Sequence, residues 1–143
     1  MGRRLLPFSP ARHHGKASSR PYFEGWYFKQ TSKDGALVVI PGVFQGADSR
    51  EDIAFIQLIY GSPPKSYYFT YPICEFSCHP RRFEMCIGGN CFSTEAVNLD
   101  IPQIGLNAEL RYSDHVPLKT NIVSPTIMGL FLISRACNAT MVC

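Results

Sequence analysis

The chain lacks long apolar runs and any sustained helical pattern. Its longest apolar stretches, such as residues 127–133, are far shorter than the roughly 20 residues needed to cross a bilayer. No window repeats apolar residues over three turns at the spacing of an amphipathic helix. It also contains no internal repeat and no low-complexity tract. These absences argue against a membrane-spanning helical protein, a helical bundle and a repeat array.

The N-terminus lacks the pattern of a secretory leader. Leu5-Leu6 is too short for the apolar core of a signal peptide, and Pro7 ends it. The first 20 residues contain arginine and serine and no acid, which only faintly resembles a plastid transit peptide. We therefore expect an intracellular protein, soluble or peripherally associated with a membrane. In that setting the six cysteines are expected to be free thiols.

Motifs for common catalytic and cofactor sites are missing as well. The chain has no G-x-S-x-G nucleophile motif, and Gly88-Gly89 is not followed by the Lys-Ser/Thr of a phosphate-binding loop. Cys74 and Cys78 do not have the two-residue spacing of zinc knuckles. An extended strand would hold these two residues about 13 Å apart. We expect neither a cofactor nor a stably bound metal.

The net charge of +3 is concentrated at the N-terminal end. Residues 1–33 hold seven Lys/Arg against one acid, Glu24, whereas the rest of the chain holds seven against ten. A basic end could contact nucleic acid or anionic lipid. No nucleic-acid-binding motif accompanies it. We interpret residues 1–20 as a solvated, irregular basic arm and expect no nucleic-acid partner.

Short strand signals separated by turn residues fill most of the sequence. Asp34-Gly35, His79-Pro80 and Gly88-Gly89-Asn90 are typical turn sequences, and residues 87–91 predict a tight hairpin. This pattern predicts an all-β domain over residues 21–133, an antiparallel barrel or sandwich, followed by an atypical tail at 134–143. The predicted strands cover residues 22–30, 37–44, 53–60, 66–71, 74–78, 83–87, 91–93, 97–101, 106–112 and 127–133.

The most informative stretch is YFEGWYFK at residues 22–29, which contains five aromatic residues and the only tryptophan. Strand alternation places Tyr22, Glu24, Trp26 and Phe28 on one face. An acid on a buried face needs a basic partner or a chemical role. Both interpretations stay open at this point: Glu24 forms a structural ion pair, or it works inside an aromatic-lined cavity. The candidate partners for an ion pair are Arg20, Arg81 and Arg111.

The octapeptide resembles the opening motif of the tocopherol cyclase-like family. Further segments are similar to later family blocks in the same order, and the likeness covers about residues 7–129. Gly25-Trp26 also resembles the first strand of lipocalins. The resemblance implies a lipocalin-like fold, here incomplete because family members have a second β-rich half. The later blocks are ALVVIPGVF, AFIQLIYG, FEMCIGGNCFS, VNLD and TIMG.

What the resemblance implies about function is a cofactor-free isomerase of vitamin E biosynthesis. Its substrate would be an apolar prenylated hydroquinone, which is cyclised to a chromanol. Glu24 is the candidate catalytic acid, because burial beside an indole favours a protonated carboxyl. Tyr22, Trp26 and Phe28 are the candidate substrate-binding residues. Two alternatives remain: a non-catalytic binding module for a prenylquinone or other apolar ligand, and an inactive truncated fragment.

Two structural expectations accompany this interpretation. Trp26, as the largest residue on its strand face, is expected to be buried and to close one end of a barrel. Residues 127–133 are expected to form an exposed apolar edge strand, since only ten residues follow them. An unpaired edge can pair with another chain, so self-association is expected there.

Overall fold

The computed structural model describes residues 20–113 and 138–142, and this part of the chain is all-β. Its strands form two sheets, and no α-helix occurs among these residues. The first sheet has the order β10-β1-β2-β3-β4, with β1 Tyr22–Ser32, β2 Gly35–Gln45, β3 Ile53–Gly61, β4 Pro64–Pro72 and β10 Asn138–Val142. The second has the order β5-β6-β7-β8-β9, with β5 Phe76–Cys78, β6 Glu84–Ile87, β7 Asn90–Ser93, β8 Ala96–Ile101 and β9 Leu106–Arg111.

The predicted all-β class is confirmed, and most predicted strands match the observed ones closely. The strand predicted at 74–78 begins only at Phe76, because Ile73–Glu75 form a short 3-10 turn after Pro72. The tail predicted to be atypical contains β10, which pairs in parallel with β1. The predicted edge strand at 127–133 and the basic arm up to residue 19 lie outside the described residues.

Tight turns set the register of the long hairpins. Residue pairs Ser32–Gly35, Gly61–Pro64 and Ile87–Asn90 each enclose a two-residue turn. Gly88 in the third of these turns has a φ of 57°, a left-handed conformation that glycine adopts without steric cost. Antiparallel pairing therefore extends along β1 to β4 and along β5 to β9, and among the described strands only β10 adds a parallel neighbour.

The two sheets pack their inner faces against each other around one apolar core. The β6–β7 hairpin crosses the first sheet, because Phe92 contacts Phe28 of β1 while Asn90 contacts Tyr71 of β4. The described strands form a sandwich of two sheets and do not close into a barrel. The buried side chains are Trp26, Phe28, Val39, Val43, Ala54, Ile56 and Leu58 from the first sheet, with Phe83, Met85, Ile87, Phe92, Val97, Leu99 and Ile101 from the second layer.

Three aromatic rings also stack across the outer face of the first sheet. Phe55 lies 5.6 Å from Phe23 and 5.4 Å from Tyr68, measured between ring centroids. Gly42 on the intervening strand leaves the space that the Phe55 ring occupies, since a Cβ there would lie 2.3 Å from the ring. The first sheet is therefore apolar on both faces near its centre.

Candidate functional site

The candidate site is the inner-face row of β1. Glu24 and Trp26 are each 1% exposed, Phe28 is fully buried, and Tyr22 is half-buried. Backbone pairing fixes this row on both sides, because Glu24 lies opposite Val43 of β2 and opposite residue 138 of β10. The prediction that Glu24 and Trp26 share an interior face is confirmed. The structure thus brings the four predicted site residues together on one strand.

Aromatic contacts join this row to the second sheet. The Trp26 ring centroid lies 6.2 Å from that of Phe83, and Phe28 lies 5.9 Å from Phe83 and 5.7 Å from Phe92. Phe28 also stacks on Tyr112 at 6.3 Å. Such ring pairs contribute about 0.5–1.5 kcal/mol each beyond burial. Trp26 therefore packs between the two sheets. The prediction that it closes one end of a barrel is wrong, because the described sheets do not form a barrel. Phe28 lies at the centre of the packing.

Cys78 is a site neighbour that the sequence did not reveal. It pairs with Met85 on the adjacent strand, so both side chains lie on the inner face of the second sheet. Burial, and secondly the negative charge of Glu24, raise the pKa of the Cys78 thiol. Because β5 is an edge strand of the second sheet, Cys78 is exposed at the edge of that sheet. The charge of the buried Glu24 carboxyl therefore acts on a thiol at the exposed edge of the second sheet.

Two of the three arginines predicted as candidate partners of Glu24, Arg20 and Arg111, form ion pairs with other carboxylates. Arg20 donates to both carboxylate oxygens of Asp52 at 2.6 and 2.5 Å and to the Gly46 carbonyl at 3.1 Å. Arg111 pairs with Glu109 at 2.9 Å on the exposed surface. The Arg20 guanidinium holds the pKa of Asp52 below its usual range, chiefly through the hydrogen bond between them. The Arg20–Asp52 ion pair ties the start of β1 to the β2–β3 connection, whereas the Arg111–Glu109 pair lies within β9.

A second aromatic row lies on the inner face of β3 and β4. Tyr60, Tyr67, Phe69 and Tyr71 are half-buried against the core. Tyr67 meets Tyr60 edge-on at 6.2 Å and stacks with Phe69 at 6.0 Å. The ammonium of Lys65 lies 4.8 Å from the Tyr67 centroid. Ring faces that are only half covered can accept a flat apolar ligand.

The cysteine and histidine residues do not converge on a metal site within residues 20–113. No three His, Cys, Asp or Glu side chains in this part of the chain group closely enough to hold an ion. Cys74 lies in a 3-10 turn and is exposed. His79 accepts backbone N–H groups of Arg81 and Arg82 at 3.1 and 3.2 Å, which makes it part of a local turn.

Cys86 and Cys91 form a disulfide, with an S–S distance of 2.15 Å. The prediction that all cysteines are free thiols is therefore wrong for these two, while Cys74 and Cys78 are free. The two-residue turn at Gly88-Gly89 places the cysteines directly opposite, with Cα atoms 4.1 Å apart. Non-hydrogen-bonded pairs have this close spacing. The hairpin predicted at residues 87–91 already indicated this pairing, but the expected intracellular location favoured free thiols.

No family model, curated protein or solved structure matches the chain. Fold and site define a two-sheet β protein with an acid and an indole buried side by side on its first strand. Within residues 20–113 and 138–142, no helix has the length and apolar character to span a bilayer.

Proposed function

We propose that this protein is a tocopherol cyclase-like enzyme that cyclises a prenylated hydroquinone, with Glu24 as the catalytic acid. The observation that carries the proposal is the 1% exposure of Glu24 beside the equally buried Trp26. Burial disfavours the charged form of a carboxyl and so favours a proton donor. Acids are rarely placed on an inward strand face without a role.

The reaction needs one proton and returns it. Glu24 protonates the prenyl double bond nearest the quinol ring, and a tertiary carbocation forms. The phenolic oxygen attacks that cation, the ring closes, and the phenolic proton goes back to the carboxylate. Substrate and product are therefore isomers. The protein's contribution is to hold oxygen and cation together and to exclude water.

Trp26 is the residue best placed to stabilise the cation. It shares the strand face of Glu24 at the next inward position. A desolvated indole face stabilises a nearby cation by about 2 kcal/mol. Tyr22 at the half-buried end of the row is the proposed contact for the quinol head, and Phe28 supports the row by packing.

The second candidate function is binding of an apolar ligand without chemistry. It is favoured by the half-buried row of Tyr60, Tyr67, Phe69 and Tyr71, which offers ring faces and no carboxyl. The apolar tail of a prenylquinone can bind to these ring faces without any reaction. This candidate predicts binding that does not depend on Glu24.

The test incubates the purified protein with a phytylated hydroquinone and measures chromanol by mass spectrometry, beside a Glu24→Gln variant. The matched control is Glu109→Gln, which removes an exposed carboxylate from the outer part of β9. We expect chromanol from the unaltered protein and from the control. Glu24→Gln should lower chromanol formation by about 10²-fold or more, with an unchanged melting temperature.

Other outcomes separate the alternatives. Quenching of Trp26 emission by the quinol without chromanol formation would favour the binding module. Equal turnover in Glu24→Gln would remove the acid role, and loss of folding in that variant would make Glu24 structural. If the folded, unaltered protein shows no turnover and no quenching, both proposals are contradicted, and the result matches an inactive fragment.

A further inference from the structure

The outer face of the second sheet carries a groove of about 420 Å³ that the proposed reaction does not use. Its volume is in the range of sites for small organic molecules. The walls include both charge signs, with the Arg82–Glu84 ion pair at 2.6 Å and Glu95 nearby. These charged side chains distinguish it from the aromatic interior. A small ligand with both amine and carboxylate groups matches these walls.

The Cys86–Cys91 disulfide lines this groove. Along β6 and β7 the alternate residues Met85, Ile87 and Phe92 are buried in the core, so both cysteines lie on the opposite, outer face. Both are half-buried rather than enclosed. A thiol that enters the groove therefore meets a sulfur directly, without any opening of the core.

We propose that this groove is a thiol–disulfide exchange site for a small hydrophilic thiol. The thiolate attacks one cysteine sulfur, the Cys86–Cys91 bond breaks, and the other cysteine leaves as a thiolate. A second thiol attacks the mixed disulfide and leaves as the oxidised dimer of the small thiol. The chain then carries two thiols, so its two-electron reduction balances the oxidation of two thiol molecules.

Reduction acts on a hairpin that contributes directly to the core. Phe92 follows Cys91 and contacts Phe28, and Met85 precedes Cys86 in the same apolar cluster. Phe83, at the start of this segment, contacts Trp26. The redox state of the outer groove is thereby linked to the packing of the inner site, and the single tryptophan reports on it.

The test uses a chain in which Cys74, Cys78, Cys137 and Cys143 are replaced by serine, so that only the paired cysteines remain. Reduced glutathione serves as the thiol probe, and alkylation with mass spectrometry follows the loss of the disulfide. Rates are compared in native buffer and in denaturant. If exchange required global unfolding, the native rate would be lower by about 10³-fold or more. We expect a smaller difference, together with a change in Trp26 emission.

A pair of matched variants tests the groove itself. Asn98 lies opposite Cys91 and lines the groove, whereas Asn107 is exposed on β9 and does not. Asn98→Tyr should slow exchange by about tenfold or more by blocking access, and Asn107→Tyr should leave it unchanged. Equal rates in the two variants would overturn the proposal. It would also fail if the purified chain held no disulfide, or if native exchange were slowed about 10³-fold or more.

Discussion

Trp26 on β1 and Phe83 just before β6 hold their ring centroids 6.2 Å apart, and this contact joins the two sheets. Because the chain has only one tryptophan, its fluorescence reports on the packing between the layers. The same residue lies two positions from Glu24 on the same strand face. Stability of the sandwich and chemistry of the proposed site are therefore measured at one position.

Replacing Trp26 by alanine should lower the free energy of unfolding by about 3–5 kcal/mol, because it leaves a cavity between the sheets. Urea unfolding followed by circular dichroism measures this change. Tyr68→Ala is the control, since Tyr68 is 55% exposed on the outer face and should cost much less. Similar losses in the two variants would contradict the assignment of Trp26 to the core.

Gly42→Ala should destabilise the first sheet by about 1–3 kcal/mol through overpacking. A Cβ at Gly42 would lie 2.3 Å from the Phe55 ring and 2.7 Å from the Glu24 carbonyl oxygen. Gly25 lies opposite on β1, where the nearest atom to an added Cβ is 3.6 Å away. Gly25→Ala should therefore be neutral or slightly stabilising. Thermal melts of the two variants check the contrast, and a reversed order would refute it.

Asn90→Ala should lower stability by about 1–3 kcal/mol, since it leaves buried backbone groups without their partner. The fully buried Asn90 amide accepts from the Asp100 N–H at 2.8 Å and donates to the Ile87 carbonyl at 3.1 Å. Its bond to the Tyr71 hydroxyl is longer, at 3.4 Å. Tyr71→Phe should therefore cost less than Asn90→Ala. Denaturant midpoints of both variants provide the measurement.

Glu24→Gln should speed alkylation of Cys78 at a fixed pH near 8, where the ligand-free protein has lost the Glu24 proton that it donates at lower pH. Burial and then the Glu24 charge raise the pKa of this thiol, so removing the charge lowers the pKa and increases the reactive thiolate. Peptide mapping after iodoacetamide treatment gives the rate, with exposed Cys74 as the internal reference. Glu84→Gln, on the outer face, should have no such effect. An unchanged Cys78 rate in Glu24→Gln would contradict an electrostatic effect of Glu24 on the Cys78 thiol.

Local patterns predicted the strands and the inward face of the candidate site. Alternation placed Glu24 and Trp26 on one buried face, and turn residues such as Gly88-Gly89 marked the hairpin ends. The 3-10 turn at Ile73–Glu75 escaped prediction because three residues are too few to show a periodicity that differs from the start of a strand. Periodicity therefore determined faces better than it determined where β5 begins.

Non-local pairing was beyond the sequence patterns. The neighbourhood of Glu24 and Cys78 depends on how two sheets stack, which neither strand specifies alone. β10 was missed for the same reason, since its partner β1 is distant in the chain. The Cys86–Cys91 disulfide could have been predicted, because the predicted hairpin already placed the two residues opposite each other.

The parallel pairing of β10 with β1 has a consequence for the order in which this sheet assembles. During synthesis β1 leaves the ribosome well before β10, so the edge of β1 beside Glu24 stays open while the strands between them emerge. Contacts between such distant segments form late and slowly, because their loop-closure entropy must be overcome first. An open β1 edge is a template for pairing with another nascent chain. We therefore expect β10 to pair late in folding, and with it the surroundings of the proposed acid to be completed late.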